Sequence, residues 1–335
     1  VSQGLANYSN AIASLSKTGR GLNDTRHLLD ARNAMPEAQR AVPVWVMPHW
    51  RVSESMTKEM GSMDLVIIDE ASQSDVRAIP ALLRAKKVLV VGDDKQVSPS
   101  TVGVEAQQIS DDISNFLSRV TNRQHLVPGK SIYGLANSVF STDVIRLKDH
   151  FRCVKQIIDF SNQQFYDGEM VSCRVAKPSE KINPPLVDVY VRGGREERKG
   201  FNRIEADAIV AEIRNLAENP ATQQKSIGVV SIRSGRQVQY IMEQLQQTIG
   251  PEAYARHRIH CGNPMSFQGR EADIIFLSLV SSLPFNRDFM RSEGRTKDNL
   301  QRYNVACSRA RDRFYVFHSF DRSQLRSQDI RAALL

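Results

Sequence analysis

The sequence predicts an α/β fold made of two parallel-sheet units, and three observations carry that expectation. Short unbroken apolar runs, rich in β-branched residues, recur at residues 65–68 (LVII), 88–91 (VLVV) and 227–232 (IGVVSI). Such runs suit strands buried on both faces of a parallel sheet. Stretches of helical character separate them, which is the order of strand–helix–strand units. The length, 335 residues, accommodates two ordinary domains.

Taken in order, residues 1–40 are polar and Ala-rich and predict helix, broken by a loop at Gly19-Arg20-Gly21. Residues 43–50 (PVWVMPHW) carry two prolines and two tryptophans around a short apolar run. An edge strand or extended connection is expected there, because proline cannot donate to a central ladder. LVII and VLVV are the first two buried strands, with a helix over residues 75–87 between them and mainly helix over 105–140. A second set follows: a helix over 154–166, an alternating strand at 186–191 (LVDVYV), and a helix over 204–218 opened by the capping-box pair Asn202 and Glu205. The strand IGVVSI, a helix over 237–249 and strands at 273–280 and 313–317 complete it, with a basic loop or helix start over 285–302. The change of pattern near 141–147 divides the chain into residues 1–145 and 146–335. The charged segment 193–200 (GGREERKG) reads as a solvated turn inside the second unit.

The net charge of +8 makes an anionic partner plausible, nucleic acid first, against the plainer reading of a solvated basic surface. The four cysteines have neither C-x-x-C spacing nor a Cys/His cluster, which argues against zinc and against a disulfide framework. Together with the lack of a signal-peptide pattern, they make a reducing cytoplasm the expectation. No apolar run approaches the ~20 residues a membrane span needs, so no membrane partner is expected.

The chemistry concentrates where LVII runs into Asp69 and Glu70 and VLVV into Gly92-Asp93-Asp94-Lys95-Gln96. Open parallel sheets gather functional groups at the carboxyl ends of their strands. One carboxylate there suits Mg²⁺, a hard cation that takes oxygen ligands, and a second can orient an attacking water. Alone, an acid pair after an apolar run is equally a strand meeting a turn. It does not stand alone. The strings DEASQ (69–73), VVGDDKQVSP (90–99), LKDHFRC (147–153), SFQGREADIIFLS (266–278) and YNVACSRAR (303–311) resemble, in order and spacing, five motifs of superfamily-one helicases in their Upf-like branch. The resemblance spans roughly residues 64–318.

That resemblance implies two RecA-like domains, the first incomplete at its N-terminal side, with ATP and Mg²⁺ as cofactors. It assigns Asp69 to Mg²⁺ and nucleotide, Glu70 to the water, Gln96 to the γ-phosphate, and Arg152 and Arg309 to the charge that develops on it. An arginine suits that task because its planar fork stays charged and binds phosphoryl oxygens in pairs. Glu271 would contact the nucleotide, and Phe151 would stack near its base, a role balanced by that of a core aromatic. Ser98, Pro99, Ser231, Arg233, Gln237, Ser266 and Gln268 would contact a nucleic-acid backbone, although Arg233 and Gln237 suit a plain helix start equally well. The expected track is single-stranded, DNA ahead of RNA, travelled 5′ to 3′.

One part is missing. The phosphate loop (Walker A) has the pattern G-x-x-x-x-G-K-[ST] and follows a strand upstream of the acids. The nearest fragment, PGKSIYG (128–134), follows the acids, has no strand before it, and carries Gln124 where the first glycine belongs. It reads as a turn entering a helix. Because the chain opens on Val1 rather than Met, the expectation is a piece of a longer polypeptide whose remainder carries that loop, and a piece that by itself hydrolyses ATP poorly or not at all. The alternatives are a non-catalytic helicase-like scaffold that binds nucleic acid and, further back, a metal nuclease built on Asp93 and Asp94. Histidines 150, 257 and 260 are not spaced for metal, and Cys307 has no triad-like partner.

Overall fold

The computed structural model describes residues 2–18, 22–99, 106–178, 181–197, 200–233, 235–282 and 296–335. The Gly19–Gly21 loop, most of the basic stretch 285–302 and part of the charged turn 193–200 therefore lie outside the described residues. The chain divides into two compact units, Val1–Asp94 with Ser98–Val144, and Lys95–Val97 with Ile145–Leu335.

The first unit opens on two packed helices, α1 (Ser2–Thr18) and α2 (Leu22–Ala41). Residues 43–48 are extended but pair with no strand, consistent with the two prolines. Trp45 sets its ring edge-on against Tyr8, centroids 5.2 Å apart. After α3 (His49–Ser55), strands β1 (Met63–Ile68) and β2 (Ala85–Val90) pair in parallel, Ile67 opposite Leu89 and Ile68 opposite Val90. The helix expected over 75–87 is much shorter: one 3-10 turn capped by Asp75, then α4 (Ile79–Leu82). The Arg84 guanidinium ends it, donating to the Thr57 carbonyl at 2.6 Å and to the Pro80 carbonyl, and the chain enters β2 at once. Helices α5 (Ala106–Phe116) and α6 (Ile132–Val139) follow. PGKSIYG is the turn and helix start that its sequence predicts, with the Ser131 hydroxyl accepting the Gly134 N–H.

The expectation that β1 and β2 are covered on both faces is overturned. Ile68, Val66 and Val90 pack with Ala71, Ala78, Ala81 and Ile132 into a small core. The opposite face is bare: Leu65, Ile67 and Leu89 are 49, 58 and 50% exposed. Two strands among the described residues, with helices packed on one side, cannot bury the other side of a sheet.

The second unit is a three-layer sandwich. Its sheet is wholly parallel, in the order β5 (Leu186–Tyr190), β9 (Ala310–Ser319), β8 (Ala272–Ser282), β6 (Ile227–Ser231), β7 (His260–Gly262). A separate short pair, β3 (Asp149–His150) with β4 (Val171–Ser172), lies near the start of the unit. Side chains alternate across the sheet, as the two-residue period of a strand requires. Ile275, Leu277, Phe314 and Val316 meet α7 (Lys155–Phe165) and α10 (Lys297–Cys307) through Ile157, Ile158 and Tyr303. Ile274, Phe276, Tyr315 and Phe317 meet α8 (Arg203–Glu218) and α9 (Gly235–Arg256) through Ile209, Ile213, Ile241 and Leu245. Gly228 must be glycine here, because a Cβ would lie 2.5 Å from the Ile275 side chain and 2.8 Å from the Phe267 ring. The chain ends on the short helix α11 (Ile330–Leu334).

A buried polar cluster occupies the carboxyl end of this sheet. The Asn202 side chain caps α8 by accepting the Glu205 N–H at 3.1 Å, half of the expected capping box. The other half is not formed, because Asn202 N donates to Gln237 Oε1 at 2.9 Å and the Glu205 carboxylate turns inward. That carboxylate accepts from Ser278 Oγ (2.6 Å), Val280 N (2.8 Å) and Ser319 Oγ (3.1 Å). Burial pushes the Glu205 carboxyl up to about 7, against the pull of those hydrogen bonds, with the Glu196 charge adding to the rise. Folded protein therefore holds a proton that the unfolded chain releases near pH 4.5, and this group's contribution to stability falls as pH rises from 4.5 to about 7. Glu205→Gln removes that dependence. Denaturant unfolding of both forms across this window is expected to show wild type losing on the order of 3 kcal/mol relative to the variant.

Candidate functional site

In the first unit the acids sit where the strand-end argument puts them. β1 ends at Ile68, and Asp69 and Glu70 follow as exposed residues of a tight turn. Glu70 lies in the left-handed region, φ 50°, which a non-glycine residue adopts rarely and mostly where the surroundings force it. The forcing groups are visible. Asp69 Oδ1 accepts the Glu70 N–H at 2.8 Å, Gln73 Nε2 donates to Glu70 Oε2 at 3.0 Å, and Ala71 N donates to Val91 O at 2.8 Å. The Ser72 hydroxyl accepts the Asp93 N–H at 2.7 Å, which ties the acid turn to the stretch after β2. A side chain at Gly92 would collide there, its Cβ 2.8 Å from the Tyr133 ring and 3.0 Å from Ser72 Oγ. So every polar residue of DEASQ has a placement: two acids outward, and Ser72 and Gln73 holding the turn. Asp69 offers hard oxygen to the solvent side, which fits Mg²⁺. The described residues bring no three metal-ligating side chains together, so a cation held by Asp69 needs further ligands, as nucleotide phosphates supply.

In the second unit the charged groups gather at the opposite, amino, ends of the strands. Glu271 directly precedes β8, and Arg309 directly precedes β9. Glu271 lies between two arginines, taking Arg152 Nε on Oε2 at 2.6 Å and Arg311 Nε on Oε1 at 2.8 Å. Burial alone would raise the Glu271 carboxyl; the hydrogen bonds and charges of Arg311 and Arg152 outweigh it and hold the group below the usual carboxylate range. Arg152 also reaches the Ser308 carbonyl at 3.3 Å. Arg309 is almost wholly buried, with Nε on the Val305 carbonyl and Nη2 on Gln96 Oε1, both at 3.0 Å. Residues Lys95–Val97 belong to this unit, and three of its side chains hold them: Asn304 Nδ2 on Lys95 O (2.9 Å), Arg309 on Gln96, and Gln268 Nε2 on Val97 O (3.3 Å).

The remaining expected residues are scattered. Phe151 is 69% exposed, so its core alternative fails. Ser98 and Pro99 are half-buried, and Ser266 is exposed, its N–H donating to the capping Asn263 side chain and its hydroxyl to the Asn263 carbonyl. Ser231 and Gln237 are fully buried, and Gln237 Nε2 donates to the Asn202 carbonyl and to Ser278 Oγ. Arg233 is half-buried, paired with Glu196 at 2.8 Å.

With that geometry in place, comparison with known proteins is decisive for the family. A family model described as an AAA domain matches residues 130–320, more than half of the chain. The chain belongs to this family. A second model, also described as an AAA domain, matches residues 51–103 of this AAA protein. It is 25% identical over 290 residues to the "Uncharacterized ATP-dependent helicase MG140" of Mycoplasma genitalium, covering 83% of this chain and 25% of that protein. It is 27% identical over 233 residues to the "ATP-dependent helicase upf1" of Schizosaccharomyces pombe, covering 65% of this chain and 23% of that protein. The AAA protein spans about a quarter of the length of these relatives. Among solved structures, a complex of Arterivirus nonstructural protein 10 (helicase) with DNA aligns over 95% of this chain and 59% of that one, with 13% identity and a TM-score of 0.37.

Sequence reasoning missed Arg311, Asn304, Ser72 and Gln73, although all four lie inside the quoted motif strings. His150 is half-buried, and its Nε2 accepts the Cys153 N–H at 3.0 Å near the start of α7. Burial, with the Arg152 and Arg309 charges beside it, pushes the imidazole down to about 4, against the opposing pull of Glu271. An NMR titration of the His150 ring is expected to stay flat through neutral pH, with a midpoint near 4. A midpoint at the ordinary 6.5 would contradict its burial near the two arginine charges.

Proposed function

We propose that this chain is part of the motor core of an ATP-dependent helicase or translocase acting on single-stranded nucleic acid, DNA ahead of RNA, moving 5′ to 3′. The observation that carries the reading is the Gln96–Arg309 hydrogen bond. The residue expected to sense the γ-phosphate and the arginine expected to neutralise it are within 3.0 Å of each other, beside the Arg152–Glu271 pair. In this reading Asp69 and Glu70 serve the metal and the water, and Arg152 and Arg309 serve the phosphate charge. Mg²⁺, when bound, would neutralise phosphate charge and share its ligands between Asp69 and the nucleotide. Glu70, held outward by its left-handed backbone, orients the attacking water. Arg309 and Arg152 place fixed positive charge where negative charge develops, and their forks are suited to phosphoryl oxygens.

The phosphate-cradling loop comes from elsewhere in the intact protein. The bare face of the β1–β2 sheet supports this, since a parallel sheet in an intact domain is covered on both sides. The relatives are roughly three times as long as this chain, which leaves room for such a segment. The soluble, nucleic-acid-bound role also agrees with the +8 charge, and among the described residues no helix is long and apolar enough to cross a membrane.

Two outcomes test the reading. In the intact protein, Glu70→Gln is expected to bind ATP as wild type does and to lose turnover by roughly 10²-fold or more, the scale of a lost general base. A normal ATPase rate in that variant would remove Glu70 from its role. The 335-residue chain alone is expected to show no ATPase above background, with or without single-stranded DNA or RNA at a stated salt concentration. Robust turnover by it would show that the missing loop is not required.

A further inference from the structure

The carboxyl end of β8 is irregular in a way that the core does not require. Pairing of β8 with β9 is regular up to Ser278 opposite Phe317 and resumes at Ser282 opposite Ser319. Residues 279–281 therefore lie against the single residue 318, a bulge. At its centre Val280 is left-handed, φ 64°, a conformation that a β-branched residue adopts only when held there. The holder is Glu205, whose Oε1 takes the Val280 N–H, while its other hydrogen bonds fix Ser278 before the bulge and Ser319 after it. Gln237 and Asn202 brace the same point, through Gln237 Nε2 on Ser278 Oγ (3.1 Å) and Asn202 Nδ2 on the Val280 carbonyl (3.0 Å).

The line of contacts continues outward. Ser282, the first residue past the bulge, accepts the Glu196 N–H on its hydroxyl at 2.6 Å. Glu196 Oε1 in turn takes Arg233 Nη2 at 2.8 Å. Arg233 keeps 23% of its side-chain surface, and Arg195 and Arg236 beside these residues are exposed. Bulges near functional sites commonly re-aim a side chain, and this one leads by named contacts to a partly exposed guanidinium on an arginine-rich rim.

We infer that Glu205 is a positioning residue for nucleic-acid binding: by pinning the bulge that ends β8 it sets Ser282 and Glu196, and through them the presentation of Arg233 to a phosphate backbone. The inference rests on the proposed single-strand reading and adds a residue and a mechanism to it. Glu205→Gln keeps an acceptor for Val280 N and an amide for Ser319, so it preserves the bulge. Glu205→Ala removes both.

The test is binding of a fluorescent oligo-dT and an oligo-U to the 335-residue chain by anisotropy across a salt series, with the fold of each variant checked by thermal unfolding. Arg233→Ala is expected to weaken binding evenly across sequences and to lower the slope of log K against log salt by about 1, the signature of one lost phosphate contact. Glu205→Ala is expected to lose the same slope, the double variant to lose no more than either single one, and Glu205→Gln to match wild type. Ser282→Ala cuts the line one step further out with the buried carboxylate intact; it is expected to lose the same slope, and it decides the question if Glu205→Ala does not fold. A wild-type slope in folded Glu205→Ala, a wild-type slope in Ser282→Ala, or additive losses in the double variant would overturn the inference while leaving the strand-binding reading intact. A wild-type chain that binds neither oligonucleotide would overturn both.

Discussion

A parallel sheet needs cover on both faces. Its strands carry long apolar runs because crossover connections lay helices on either side, and a face left bare puts those runs in water. This one constraint organises the second unit. Five parallel strands are clasped between α7 and α10 on one side and α8 and α9 on the other, and the apolar runs alternate cleanly into two cores. The same constraint bears on the first unit: Leu65, Ile67 and Leu89 have the composition of a buried face and are exposed among the described residues. Burying such side chains is worth on the order of 1.5–3 kcal/mol each, so an occupant for that face has a strong driving force.

Rigid strands then act as supports for charge. In the first unit the polar groups stand at carboxyl ends, where Asp69 and Glu70 leave β1 on a backbone that Gln73, Ser72 and the stretch after β2 hold in place. In the second they stand at amino ends, Glu271 before β8 and Arg309 before β9. Arg309 is costly to bury, and what makes its burial tolerable is that its guanidinium bonds the Val305 carbonyl and Gln96. A group so constrained has little conformational freedom left to lose, which is the condition for preorganised electrostatics.

Much of this was legible in the residues. The β-branched runs located the principal strands, and Asn202 marked the start of α8. The motif strings contain the residues of two pairings, Arg309 with Gln96 and Arg152 with Glu271. What was not legible has a common cause. Burial depends on neighbours that a local pattern does not reveal, so β1 and β2 read as covered when one face is exposed, and nothing local marked Ser231 and Gln237 as interior. A hydroxyl or amide at a strand end looks the same in sequence whether it faces solvent or completes a buried network. Glu205 was visible only as a cap, because the inward turn of its carboxylate depends on Ser278, Val280 and Ser319, 73 or more positions away along the chain. The left-handed backbone of Glu70 is likewise set by long-range ties to Val91 and Asp93.

The central proposal is that Arg309, directly before β9, acts on the phosphate of a bound nucleotide. Single-turnover ATP cleavage by the intact protein carrying Arg309→Lys tests it most directly, because lysine keeps the charge and loses the fork. The account predicts ATP binding close to wild type and a cleavage rate lower by about a thousandfold, the scale of a lost arginine finger. Cleavage at the wild-type rate in a folded Arg309→Lys protein would contradict it.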